Sequence, residues 1–147
     1  MFEIKYSAAV KAPLKVVWSV IMDTKAYSEW NEFVPECDTT FEPGTPIKMK
    51  VRLGSRTINQ TEMIYERIDE QLIDYRSKLA LRLLETIRQH RLCAEDENTV
   101  KYESVLIIKG FASPIVKLLF GRQLSRGFAE MTDGIKKRAE LLLSRED

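Results

Sequence analysis

The last quarter of the chain constrains the fold most. From Pro114 to about Leu143 the apolar residues Leu124, Phe128, Met131, Ile135, Ala139 and Leu142 recur at intervals of three and four, the spacing of one continuous stripe on a long helix. Pro114 suits its start, because a proline in the first turn gives up an N–H that has no intrahelical acceptor there. Gly121, Gly127 and Gly134 interrupt the pattern at about 1 kcal/mol each relative to alanine. Close approach of another element, a bend, or space left for a ligand would each explain that cost. A helix with so broad a stripe has to cover something apolar.

What it covers is expected to be a sheet. Phe2, Ile4, Tyr6, Ala8 and Val10 alternate with Glu3, Lys5, Ser7 and Ala9, a strand with one buried face. Pro13 opens a short helix carrying Leu14, Val17, Trp18 and Ile21 on one side, and Thr24 to Trp30 forms a second that begins near Asp23. From Pro35 onward the chain reads as strands separated by turns. Glu42 to Pro46, with proline and glycine at turn positions, precedes the alternation of Ile47, Met49 and Val51 with Lys48, Lys50 and Arg52. Asn59–Ile68 and Leu72–Leu79 follow. The stretch LALRLLETIRQHRL, beginning at Leu79, can be written on a helix or a strand. The alternation of Thr86, Arg88, His90 and Leu92 with Ile87, Gln89, Arg91 and Cys93 favours a strand over Leu83–Ala94. Thr99–Lys109 is the strongest strand, with Val100, Tyr102, Ser104, Leu106 and Ile108 on one face. The reading is α+β: an antiparallel sheet with one long helix over its apolar face.

With 147 residues the chain is expected to fold as a single domain spanning 1–147, large enough to bury roughly two thirds of its unfolded surface. Its 23 basic and 22 acidic side chains leave a net charge of +1, which argues against nucleic acid as the main partner. The opening MFEIKYS holds no apolar run of signal-peptide length, and no stretch approaches the roughly 20 apolar residues of a membrane span. A cytoplasmic protein without stable membrane insertion is therefore expected, as monomer or homodimer. Cys37 and Cys93 are expected to be free, buried thiols.

Val10, Ala12, Pro13, Val17 and Trp18, followed by Asp23, Tyr27, Trp30, Asn31 and Val34, resemble the opening pattern of the START-like superfamily, also described as SRPBCC, helix-grip or birch-pollen-allergen-like. The likeness is nearer to the bacterial polyketide cyclase/dehydrase and lipid-transport branch, and it spans nearly the whole chain. It implies a helix-grip fold: a seven-stranded curved antiparallel sheet around a long C-terminal helix, with two short helices after the first strand. It also implies a cavity for a small hydrophobic molecule such as a lipid or polyketide. The wall candidates are Tyr65, Tyr75, Tyr102 and Leu106 from the sheet and Phe120, Leu124, Phe128 and Met131 from the long helix. Tyr27, Trp30 and Phe33 of DTKAYSEWNEFVPE and Arg76 complete the twelve cavity candidates, with Trp30 also expected to pack the second short helix and Tyr27 or Phe33 to border the mouth. The glycine-rich loop of the plant allergens is absent around Gly44, and no cyclase catalytic set maps onto the chain.

His90, the one histidine, sits among residues read as solvated, including Arg88, and is expected to be an ordinary strand residue. With Cys37 and Cys93 it makes only three ligands at spacings unlike common zinc sites, so no metal or other cofactor is expected. Glu62, Glu66, Asp69 and Asp74 read as exposed. Arg76, flanked by Tyr75 and Ser77, would hold a carboxylate or phosphate if it turned inward. The basic residues Arg122, Arg126, Lys136, Lys137 and Arg138 suit a solvated helix face. Three functions stay open: carriage of a hydrophobic ligand, cyclisation or dehydration of a polyketide-like substrate, and protein interaction.

Overall fold

The computed structural model describes residues 1–79 and 83–146. Within them lies one antiparallel sheet of seven strands: β1 (Phe2–Val10), β2 (Glu36–Asp38), β3 (Pro46–Leu53), β4 (Arg56–Ile68), β5 (Leu72–Leu79), β6 (Leu84–Asp96) and β7 (Thr99–Lys109). Their spatial order is β1-β7-β6-β5-β4-β3-β2, so every connection from β2 to β7 joins neighbours and β1 returns beside the last strand. Between β1 and β2 run α1 (Leu14–Met22) and a turn of tighter helix (Thr24–Ala26) that leads into α2 (Tyr27–Trp30). The curved sheet wraps around α3 (Ser113–Glu146), which packs against β1, β7 and β3. This is the helix-grip architecture that the family resemblance implied. The stretch that read as helix or strand is β6 from Leu84 on; residues 80–82 lie outside the described residues.

Alternation decides which side chains reach the interior. On β7, Val100, Tyr102, Leu106 and Ile108 are buried facing α3, and β1 runs alongside with Phe2 opposite Ile108 and Val10 opposite Val100. On β4, Glu62 and Ile64 point inward, but the pairing with β5 then skips from Ile64–Tyr75 to Glu66–Asp74. Tyr65 is the extra residue of this bulge and stays exposed on the outer surface.

Two of the helix glycines face the aromatic segment after α2. A Cβ on Gly127 would lie 2.2 Å from Phe33 Cδ1, and one on Gly134 would lie 3.0 Å from Trp30 Cε3. Close approach is therefore the reason for glycine at both positions, and each admits an aromatic ring against the helix backbone. Gly121 meets no such neighbour. The segment is pinned independently: the Asn31 carboxamide oxygen accepts from the Val34 amide at 2.8 Å, and the Phe33 carbonyl accepts from the Arg52 amide at 2.9 Å.

Candidate functional site

Sheet and helix do not fill all the space between them. A cavity of about 300 Å³ remains, at the small end of the roughly 300–1,000 Å³ of small-molecule sites. Val116, Phe120, Leu124 and Phe128 of α3 form one wall. The others come from Phe33, from Val51 and Leu53 of β3, from Leu106 and Ile108 of β7, and from alternate residues of β4 and β6. Its mouth lies where lining residues are exposed or half-exposed, at Arg56, Ile58, Leu84, Val116 and Phe120. Its inner end is walled by Phe33, Glu62, Arg88, Leu106 and Phe128, all buried.

The polar groups gather at that inner end. Arg88 is only 5% exposed, and its guanidinium carbon lies 5.0 Å from the Phe128 ring centre, 5.1 Å from Tyr75 and 5.6 Å from Phe33. Three ring faces thus offset part of the cost of burying the cation. Its Nη1 donates to Met49 Sδ at 3.4 Å and stands 3.9 Å from Glu62 Oε2. Glu62 in turn accepts from the Thr86 hydroxyl at 2.8 Å. Burial raises the Glu62 carboxyl above its usual range, against the opposing pull of Arg88 and the Thr86 hydrogen bond. Arg88 Nε and Nη2 have no acceptor among the described residues.

His90, two residues along the same face of β6, is arranged differently. Its Nδ1 lies 2.6 Å from the Tyr102 hydroxyl and its Nε2 3.4 Å from the Tyr75 hydroxyl. Burial, reinforced by the Arg88 charge, lowers the imidazole to about 3. Burial also raises both phenols. The three groups are neutral at physiological pH and satisfy one another away from the cavity wall.

Five of the twelve expected lining residues meet at the cavity: Phe33, Leu106, Phe120, Leu124 and Phe128. Phe33 walls the buried end rather than the mouth. Tyr75 and Tyr102 belong to the histidine chain, and Met131 is buried beyond the cavity. Tyr27 donates to the Ile21 carbonyl at 2.5 Å and stacks edge-on against Trp30, which seats on Gly134. Tyr65 and Arg76 are on the outer face, where the Arg76 guanidinium lies 3.8 Å over the Tyr65 ring and pairs with Asp74. Arg76 cannot turn inward because Tyr75, its neighbour, already does.

Other expectations also change. Arg88, read as solvated, is buried, and so are Glu62 and Asp74, whereas Glu66 and Asp69 are exposed. Cys37 and Cys93 are free, but Cys93 is exposed and Cys37 only half-buried. Burial nevertheless pushes the Cys37 thiol up to about 12. Among the described residues no group of three His, Cys, Asp or Glu side chains is placed to hold a metal ion. No helix there is long and apolar enough to cross a membrane.

The fold and cavity can now be set beside known proteins. The sequence profile of the family described as "Polyketide cyclase / dehydrase and lipid transport" matches residues 1–140. The chain belongs to this family. Among solved structures, the Zhui aromatase/cyclase from Streptomyces sp. R1128 superposes with a TM-score of 0.73 at 13% identity, covering 95% of this chain and 93% of that one. A START superfamily protein from Mycobacterium smegmatis gives 0.73 at 15% identity over 95% and 98% of the two chains. A norcoclaurine synthase point mutant from Thalictrum flavum, in complex with a transition-state analogue, gives 0.69 at 17% identity over 99% and 96%. At these identities the likeness establishes the fold. Among curated proteins, none matches the chain by sequence.

The mouth has one further property. The first turns of α3 are apolar nearly all round: Val116 and Phe120 face the cavity, while Ile115, Leu118 and Leu119 are exposed. Phe111 precedes them and is exposed too, and the Ala112 amide donates to the Leu83 carbonyl, which brings exposed Leu83 to the same rim.

Proposed function

We propose that this protein binds and carries a small hydrophobic molecule in the cavity between sheet and helix, without covalent chemistry. The observation that carries the reading is the cavity itself, a mainly apolar chamber of about 300 Å³ with Glu62, Thr86 and Arg88 toward its inner end, Gln60 on its β4 wall and Arg56 at its mouth. Such a chamber binds by removing apolar surface from water, at roughly 25 cal/mol per Å², and uses polar groups for orientation. Membership of a family that spans cyclases, dehydrases and lipid transport supports it. The test is native mass spectrometry of the purified protein, followed by titration with a panel of lipids and polyketide-like aromatics. Co-purified cargo or saturable binding is expected, and neither appearing would sink the reading.

A second reading, cyclisation or dehydration of a polyketide-like substrate, is favoured by one specific observation. Glu62 lines the cavity beside the Thr86 hydroxyl, and burial raises its carboxyl above the usual range, the direction that suits a carboxyl to proton transfer. Turnover abolished by Glu62→Gln, with ligand binding retained, would establish it over simple carriage.

A further inference from the structure

Resting on the cavity reading above, we propose that Arg88 is the head-group anchor of the cavity and that the molecule it takes is a small amphiphile bearing a carboxylate. Buried donors are almost always satisfied, and an exception calls for a reason. Here the exception is a charged one, at the inner end of a mainly apolar chamber.

The unpartnered atoms are chemically specific. Nε and Nη2 form one straight edge of the guanidinium, whose two N–H bonds run parallel and match the two oxygens of a carboxylate. Nη1, at the opposite corner, is the nitrogen already engaged by Met49 and Glu62. The protein thus holds the arginine from one side and leaves the bidentate side buried and without a partner among the described residues. The rings of Phe33, Tyr75 and Phe128 fix the plane of the group, so the edge is oriented before anything binds. A neutral carbonyl would serve only one donor. A phosphate brings more charge and more oxygens than this edge can serve, with Glu62 close by. Leu106, Phe120, Leu124 and Ile108 continue the wall from Arg88 to the mouth, and fit a chain or ring system trailing behind the acid.

The test uses matched pairs of probes: decanoate with decanol for a chain, and naphthoate with naphthol for a ring. Wild-type protein is expected to bind the acid of at least one pair tenfold or more tightly than its alcohol, and the pair showing the preference tells an acyl acid from an aromatic one. In Arg88→Met the preference is expected to vanish while alcohol binding stays, and Arg88→Lys, which keeps charge but loses the fork, is expected to fall between them. Equal binding of acid and alcohol by wild type would overturn the anchor while leaving the cavity reading intact. So would tighter binding of decyl phosphate than of decanoate. Binding of no probe would count against both. The wild-type comparison needs no variant to fold.

A different observation, the apolar rim, carries a second proposal: the geometry points to docking of the mouth on an anionic lipid surface. Leu118 and Phe111 are 84% and 82% exposed, and with Ile115 and Leu119 they form an exposed apolar patch at the start of α3, the kind of surface that marks a contact site. Of the four cationic residues between Glu103 and Glu130 in sequence, Arg126 pairs with Glu130 and Lys109 lies opposite Glu85 on β6, which leaves Lys117 and Arg122 on the helix beside the apolar rim. A second copy seated on this rim would bring like charges together, whereas an anionic bilayer complements them. Docked there, the mouth would open directly into the lipid.

Sedimentation with vesicles decides it. Wild type is expected to pellet with equal-part phosphatidylcholine–phosphatidylglycerol vesicles at least tenfold more than with phosphatidylcholine alone. Leu118→Glu with Leu119→Glu is expected to abolish pelleting with both, and Lys117→Glu with Arg122→Glu to remove the preference. The proposal fails if wild type stays in the supernatant with anionic vesicles. It fails equally if ultracentrifugation shows a dimer that Leu118→Glu dissociates, because the rim is then a contact between copies.

Discussion

Arg88 and His90 occupy successive inward positions on β6, both buried and both within the same core, yet they are opposite kinds of polar residue. His90 is closed: each ring nitrogen meets a tyrosine hydroxyl, and nothing in the arrangement asks for a further partner. Arg88 is unsatisfied, with aromatic rings on its faces, a partial ion pair at one corner and two buried donors that have no partner among the described residues. Burial alone therefore does not mark a functional residue. The residual hydrogen-bonding capacity does, because a closed network has its lowest free energy without a ligand and an open one does not.

The sharpest way to break the comparison is to delete each group and read stability. His90→Ala strands two buried hydroxyls and leaves a cavity, and should cost about 3 kcal/mol or more in urea denaturation. Removing both charges at the inner end, by Arg88→Met with Glu62→Gln, should leave stability unchanged or raise it by about 1–4 kcal/mol. If the double variant were as damaging as His90→Ala, Arg88 would be a structural residue and its open donors would carry no functional meaning. Gly127→Ala comes next, at about 1–3 kcal/mol, since the new methyl would overlap the Phe33 ring. It should also weaken ligand binding, because Phe33 walls the inner end of the cavity. A calorimetric melt paired with a decanol titration checks both effects.

The same two positions differ in their response to pH. The folded His90 titrates at about 3, against about 6.5 for an unperturbed histidine, so between those values only the unfolded chain takes up the proton. Its contribution is fully present above the higher value and is lost as pH falls, by about 1.4 kcal/mol per unit. Glu62 has the opposite sign. Its folded value is raised, so its contribution is full below the ordinary carboxyl range and is lost as pH rises through the folded value. His90→Gln should flatten the acid limb of the stability curve between about 6.5 and 3, and Glu62→Gln should steepen it above the ordinary carboxyl value. Urea midpoints measured across that range distinguish the two, and an unchanged slope in His90→Gln would mean that the imidazole is not held neutral.

Periodicity made the fold legible. The alternations of β1 and β7 and the long stripe of α3 are local patterns, and each specifies an element without knowledge of its neighbours. The cavity wall was legible only where one side of an element is unambiguous, as for Phe120, Leu124 and Phe128 on the helix and Leu106 on the strongest strand. The facing of Tyr65 depends on a bulge between Ile64 and Glu66, where one extra residue leaves the surrounding composition unchanged, and Arg76 faces outward by plain alternation with the buried Tyr75. Arg88 was missed for a related reason. It shares a parity with His90 and Leu92, which signals an inward face, but the neighbouring Arg91 made the whole stretch look solvated. The parity was visible, whereas the aromatic rings that make burial of Arg88 tolerable come from β5, α3 and the loop after α2, far away in sequence.

The smallest expected effect is also the cleanest control. Arg76 has what Arg88 lacks, two hydrogen bonds to one carboxylate, Asp74, at 2.9 and 3.0 Å, and it too lies over a tyrosine ring. Arg76 is partly exposed on the outer face of the sheet although Asp74 is buried, and the solvent at the arginine holds the contribution to about 1 kcal/mol. Asp74 keeps a donor from Gln89 at 2.7 Å if the arginine is removed. Arg76→Ala and Tyr65→Ala should therefore lower stability by no more than about 1 kcal/mol and leave the acid-over-alcohol preference untouched. A loss of that preference in Arg76→Ala comparable to the loss in Arg88→Met would mean that anion binding follows overall positive charge, with no role for the open guanidinium edge inside the cavity.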